Sequence, residues 1–245
     1  SSFLPLQVAR IFNISYFLHD QNSFPGVVTR LFGSKAKIVF LGFDSAKTHL
    51  KKSNTIFSGN PLHNKSYKDI SLNINHSKRV LLVVGGSQGA KVFDEDIKNS
   101  ILDLSKKYKL IVYHQVSSLD FSDLEFFYKE NNIENKLFNF EENIFQYINE
   151  ANLAITRAGA STLSELAFLK VPFIAIPYKF ATDNHQLQNA LHYEYKGCCW
   201  ILEEKEFNQH KLTALLINII ENRDDYLNKK NNLEKFCYQN TWNKI

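Results

Sequence analysis

Residues 152–165 read Asn-Leu-Ala-Ile-Thr-Arg-Ala-Gly-Ala-Ser-Thr-Leu-Ser-Glu. Leu153, Ala154 and Ile155 form a short apolar run of the kind found in a strand covered on both faces, and Arg157-Ala158-Gly159-Ala160 is a small-residue turn into a helix. The pattern is strand, loop, helix. A helix beginning near Ala160 starts with backbone N–H groups that have no intrahelical acceptor, and the hydroxyls of Ser161 and Thr162 lie beside them. Such a helix end attracts phosphate. Glu165 lies one turn further in, where a carboxylate can accept hydrogen bonds from two ribose hydroxyls. The stretch therefore has the make-up of half a nucleotide-diphosphate site. The plain alternative is that Thr162 and Glu165 cap and charge an ordinary first turn.

The segments on either side follow the same alternation. Val80 to Val84 is a strand-like run that delivers Gly85-Gly86-Ser87-Gln88-Gly89-Ala90 to a helix reaching about Lys107. Small residues let the backbone approach a phosphate closely, and Ser87 and Gln88 add side-chain donors. This second anion loop is neither a Walker A sequence nor the spaced glycine fingerprint of dinucleotide folds. Further strands are expected at Leu110–Tyr113, ending in His114-Gln115, and at Lys136–Phe140, Pro172–Ile176 and Cys199–Leu202. Helices are expected at 120–131, 142–149, 207–221 and 226–238. A helix starting at Asp183 puts Gln186 and Asn189 on one face with it, a row of donors and acceptors suited to sugar hydroxyls. A solvated first turn is the bland alternative.

Upstream, Leu6 to Phe12 has helical spacing, and Ile14 to Leu18 reads as a buried strand ending in His19-Asp20-Gln21-Asn22. Polar side chains at a strand's C-terminal end are where open α/β sheets bind ligands. Phe24-Pro25-Gly26 opens a helix through Leu31, with Pro25 in its first turn, and strands follow at 37–40 and 55–57. Gly59-Asn60-Pro61 and the polar stretch from His63 to Lys78 read as a linker, so the expected division is a small lobe at 1–62 and a complete one at 63–245.

Among 245 residues, 44% are apolar, enough for a core, and the net charge of +4 is spread along the chain. That balance suits anionic ligands or a membrane surface, and no nucleic-acid partner is expected. Cys198, Cys199 and Cys237 lack metal-ligand spacing, so free thiols in a reducing cytoplasm and no metal site are expected. No apolar run approaches the roughly 20 residues of a membrane span. With no Met and a first residue Ser1, the chain is expected to be a fragment of a longer one.

In order and chemistry these loops resemble the MurG family of peptidoglycan glycosyltransferases, which add N-acetylglucosamine to lipid I. The matching motifs are 85–90, 157–165, Asp183-Asn184-His185-Gln186-Leu187-Gln188-Asn189-Ala190, His19-Asp20-Gln21-Asn22 with Pro25-Gly26, and Gly59-Asn60-Pro61. The resemblance implies an α/β fold of the GT-B type, two Rossmann-like lobes with the N-terminal one truncated. It implies UDP-N-acetylglucosamine held by the C-terminal lobe, and a lipid I acceptor held by an N-terminal lobe lying on the cytoplasmic face of the bacterial cell membrane. It further implies an inverting transfer to lipid II without metal or cofactor, in which helix-end amides stabilise the departing diphosphate. Carried over, Ser87, Gln88 and the amides of Ala160, Ser161 and Thr162 would face the diphosphate. Glu165 would hold the ribose, Gln186 and Asn189 the sugar hydroxyls, and the backbone around Phe140 and Glu141 the uracil. Asn22 would lie near the reacting centre, with His19, Asp20 or a His of a loop not represented here as general base. His63 stands where the family has an Arg, a poorer phosphate clamp. The family's glycine-rich loops are missing, so the chain as given is expected to bind donor without glycosylating lipid I. Three alternatives stay open: another UDP-sugar enzyme of the same fold, such as a glycolipid glycosyltransferase or a UDP-N-acetylglucosamine 2-epimerase; the donor-binding module of a split glycosyltransferase; and a structural α/β protein with fortuitous loops.

Overall fold

The computed structural model describes residues 2–62, 79–85, 90–116, 121–139 and 144–236. The first lobe comprises α1 (Phe3–Ile11), β1 (Phe17–Asp20), α2 (Val27–Phe32), β2 (Ile38–Leu41) and β3 (Thr55–Phe57), with the strands parallel in the order β1-β2-β3. Its core is small, built from Ala36, Val39, Leu41, Ala46 and Leu50. The buried strand expected from Ile14 starts instead at Phe17 and stands at the sheet edge. Ile14 and Phe17 are 57% and 56% exposed, so apolar content there does not reflect burial. His19 and Asp20 belong to β1 itself rather than to the loop after it. Pro25 precedes α2, whose N-cap is Gly26 in extended backbone.

The second lobe strings together β4 (Arg79–Val84), α3 (Ala90–Ser105), β5 (Leu110–Gln115), α4 (Ser122–Glu130), β6 (Glu134–Phe138), α5 (Ile144–Glu150), β7 (Leu153–Thr156), α6 (Ala160–Phe168), β8 (Phe173–Ala175), α7 (His185–Tyr195), β9 (Cys199–Ile201), α8 (Gln209–Glu221) and α9 (Arg223–Phe236). The strands form one parallel sheet in the order β6-β5-β4-β7-β8-β9, the doubly wound arrangement in which chain direction across the sheet reverses between β4 and β7. Strand periodicity sends alternate residues to two cores. Leu82, Val84 and Ala154 join α6, α7 and α9 on one face, while Leu81, Val83 and Ile155 join α3, α4 and α8 on the other. Cys198 and Cys199 are buried free thiols beside and within β9, and burial pushes the Cys198 thiol up to about 11.

The two sheets are joined by packing as well as by chain. Phe43, just past β2, is 1% exposed and belongs to the core of the second lobe, edge-on to His192 and Tyr193 of α7. A Cβ on the neighbouring Gly42 would lie 2.0 Å from Oδ1 of Asn60, so glycine is what lets that buried amide fit. Among the described residues, no helix is long and apolar enough to cross a membrane.

Candidate active site

The strand order reverses between β4 and β7, the place at whose C-terminal strand ends open α/β sheets bind ligands, and residues 157–165 follow β7 directly from there. Leu163 makes the first intrahelical bond of α6, to the carbonyl of Gly159, and no side chain caps the helix. The amides of Ala160, Ser161 and Thr162 thus have no acceptor within the helix, and the capping alternative fails. Gly159 has ordinary extended backbone, and a Cβ added there would meet nothing within 4 Å. Among the described residues, neither strain nor packing calls for glycine at this position. Ala160 is buried, Ser161 exposed and Thr162 half-buried. Glu165, one turn in, is half-buried, and burial of its carboxyl pushes it up to about 7.

The loop after β8 is stitched to this helix end. Oε1 of Gln186 accepts from the amide of Ala158 at 3.2 Å and from that of Tyr178 at 3.0 Å, bridging the turn before α6 and the loop before α7. Arg157 donates to the carbonyl of Ile176 at 3.3 Å and to Glu204 at 3.3 Å. The helix expected from Asp183 begins two residues later, because Asp183 and Asn184 both take left-handed backbone, with φ 53° and 54°. Asp183 therefore leaves the face of Gln186 and pairs instead with Arg30 of α2. Two consecutive non-glycine residues at positive φ cost roughly 1–3 kcal/mol each, a strain that concentrates at ligand sites and switch regions.

First-lobe residues meet this loop cluster through Asn189. Its side chain is fully buried, donating to Asn22 Oδ1 at 3.1 Å and to the Ala158 carbonyl at 3.2 Å, and accepting from the amide of Ser23 at 2.8 Å. The sugar contact expected of Asn189 is not open in this arrangement, because both amide ends hold the two lobes together. Asn60 does the same for α6, donating to Ser164 at 2.9 Å and to the carbonyl of Gln21 at 3.1 Å. Asp20 is buried, with its two oxygens accepting from the amides of Asn22 and Gly26, which makes it the acceptor that shapes the 21–26 loop. His19 is exposed, its Nε2 at 3.4 Å from the carbonyl of Gly59. His63, Ser87, Gln88 and Glu141 lie outside the described residues.

Cavity size does not locate the site. A groove of about 410 Å³ lies between Asp44, His49, His192 and Lys196, and one of about 700 Å³ lies at the opposite end of the sheet beside Arg79, Leu110 and Leu153. Comparison with known proteins gives the family. Residues 80–240 match the glycosyltransferase family 28 C-terminal domain. The UDP-N-acetylglucosamine--N-acetylmuramyl-(pentapeptide) pyrophosphoryl-undecaprenol N-acetylglucosamine transferase of Pelagibacter ubique (strain HTCC1062) is 41% identical over 245 residues, covering 99% of this chain and 69% of the relative. The chain belongs to the MurG family.

The crystal structure of MurG from Acinetobacter baumannii shares the fold, with a TM-score of 0.77 at 24% identity over 96% of this chain and 67% of that one. A UDP-glucose:anthocyanidin 3-O-glucosyltransferase in complex with UDP shares it at a TM-score of 0.70 and 14% identity over 96% of this chain and 68% of that one. The chain thus has the GT-B fold and carries the C-terminal domain of a MurG-family N-acetylglucosaminyltransferase. Sequence reasoning missed Glu204 and Tyr178 at this site. Glu204 sits in a run of acidic and basic residues, Glu203-Glu204-Lys205-Glu206, that reads as solvated surface, and only its side-chain exposure of 17% sets it apart.

Proposed function

We propose that this chain holds UDP-N-acetylglucosamine on its second lobe and serves the inverting transfer of N-acetylglucosamine to lipid I, giving lipid II. The observation that carries this is the uncapped start of α6, with three amides that have no acceptor within the helix, space over Gly159 among the described residues and a half-buried carboxyl one turn further in. A diphosphate would accept from the amides of Ala160, Ser161 and Thr162, and the positive helix end would stabilise its charge as the sugar–phosphate bond breaks. Two ribose hydroxyls would donate to Glu165. Oε1 of Gln186 is held by backbone, so its amide N–H groups would serve the sugar.

The acceptor hydroxyl would attack the anomeric carbon from the first-lobe side, passing its proton to a base. His19 is the more accessible of the two imidazole and carboxylate candidates in β1, since backbone amides occupy both oxygens of Asp20. The expected lobe division at 1–62 and 63–245 is kept in this proposal, with Asn22 and Asn189 joined where the lobes meet. The family's association with a membrane surface and its lipid acceptor belong to the same proposal. The test is calorimetric titration of the chain with UDP, UDP-N-acetylglucosamine and UDP-glucose, followed by radiolabel transfer from UDP-N-acetylglucosamine to a lipid I analogue. Binding of UDP with preference for the N-acetylglucosamine conjugate supports the donor site. No UDP binding by the folded chain would refute it.

A further inference from the structure

We infer that Glu204 is a positioning residue for the donor sugar, acting through Arg157 and the loop after β8, an inference that rests on the donor site proposed above. β7, β8 and β9 are neighbours in the sheet, so the segments leaving their C-terminal ends emerge side by side. Arg157 leaves β7, the 176–182 loop leaves β8, and Glu204 follows β9 by three residues. The carboxylate of Glu204 spans all three. Oε1 takes the Arg157 guanidinium at 3.3 Å, and Oε2 accepts from the amide of Lys179 at 2.8 Å. Arg157 also donates to the carbonyl of Ile176 and lies over the ring of Tyr178, 5.6 Å from its centre.

The side chains of Arg157 and Glu204 are only 7% and 17% exposed, so this is a desolvated pair and breaking it is costly. A surface pair would be a loose tether, whereas this one holds its geometry. Its consequence runs through Tyr178. The amide of Tyr178 is bound by Gln186 from one side, and that of Lys179, the next residue, is bound by Glu204 from the other. The loop is clamped between the two side chains, and Gln186 is set in place against the turn before α6. The diphosphate and ribose groups, the amides of 160–162 and Glu165, sit on α6 itself, a step further from the clamp than Gln186, which bonds directly to the clamped loop.

The geometry therefore separates sugar from nucleotide. Glu204→Ala should weaken UDP-N-acetylglucosamine binding about 10-fold while changing UDP affinity less than about 2-fold, since contacting residues in one network couple strongly and distant ones do not. Glu204→Gln keeps an oxygen for Lys179 but turns an amide N–H towards Arg157, so it should recover only part of the loss. Gln186→Ala combined with Glu204→Ala should be little worse than the poorer single variant, because both act through the same loop. Calorimetry of the 245-residue chain with both ligands, alongside thermal unfolding, reads all of this, and a purely structural role would lower the melting temperature without splitting the two affinities. Equal losses for UDP and UDP-N-acetylglucosamine, no loss for either, or additive effects of the two substitutions would overturn the role of Glu204 while leaving the donor site standing. Absence of UDP binding by the unmodified chain would overturn both.

Discussion

Glu165→Gln should leave stability near its original value at pH 4 and raise it by about 3 kcal/mol at pH 8. The carboxyl is pushed up from an ordinary 4.5 to about 7, and burial is the cause. The folded chain thus holds the proton more tightly than the unfolded one. Whatever stability Glu165 contributes is fully present below pH 4.5 and is lost as pH rises through about 7. A gap of this width corresponds to about 3 kcal/mol when each pH unit is worth about 1.4 kcal/mol. Glutamine has nearly the same shape and does not titrate, so other ionisable groups cancel in the comparison. Urea unfolding of both proteins from pH 4 to 8 should show a difference that grows steadily between pH 4.5 and 7 and then levels off. UDP should reverse the preference, because ribose hydroxyls donating to the carboxylate favour its ionised form. At pH 6, binding of UDP-N-acetylglucosamine, whose diphosphate has no terminal phosphate proton to titrate, should release a proton from the original chain and none from the Gln variant, read as a buffer-dependent enthalpy. Glu165→Ala should weaken UDP by roughly 1.5–3 kcal/mol, the range for a hydrogen bond to a charged group. A stability difference that stays flat across pH 4 to 8 would refute the buried-carboxyl argument, and unchanged UDP affinity in Glu165→Ala would refute its ribose role.

Phe43→Ala should destabilise the chain by about 3–5 kcal/mol in urea unfolding, as a fully buried aromatic in a packed core does, and should loosen the junction of the lobes; a loss under 1 kcal/mol would mean that the first lobe merely rests on the second. Gly42→Ala should cost about 1–3 kcal/mol by displacing Asn60, and Asn60→Ala should relieve part of that cost, so additive effects would speak against the clash. Asn189→Ala should remove three buried hydrogen bonds, destabilising by on the order of 2 kcal/mol and weakening UDP and UDP-N-acetylglucosamine alike; a loss confined to the sugar conjugate would restore it as a sugar contact.

Local features were legible in the amino-acid sequence because their causes lie within a few residues. The strand–turn–helix unit around β7 and α6 needs only an apolar run, a small-residue turn and a helix-forming stretch, and the amides it frees for an anion are a property of any uncapped helix start. The order of motifs along the chain likewise carried the family. Tertiary structure alone decided what depends on distant partners. Periodicity cannot say that β7 pairs with β4, although this pairing makes the reversal of strand order beside which Arg157 emerges. The same limit hid Glu204, 47 residues from Arg157 yet bonded to it. Asn189 has the chemistry of a sugar reader, but the packing of α7 against the first lobe consumes its amide in joining Asn22, Ser23 and Ala158. Ile14 and Phe17 have the composition of a buried strand, but Ile14 lies ahead of the strand and Phe17 on an edge strand of a three-stranded sheet, and both are exposed. Composition and spacing specify which local states are cheap; burial and partnership are set by which distant surfaces come together.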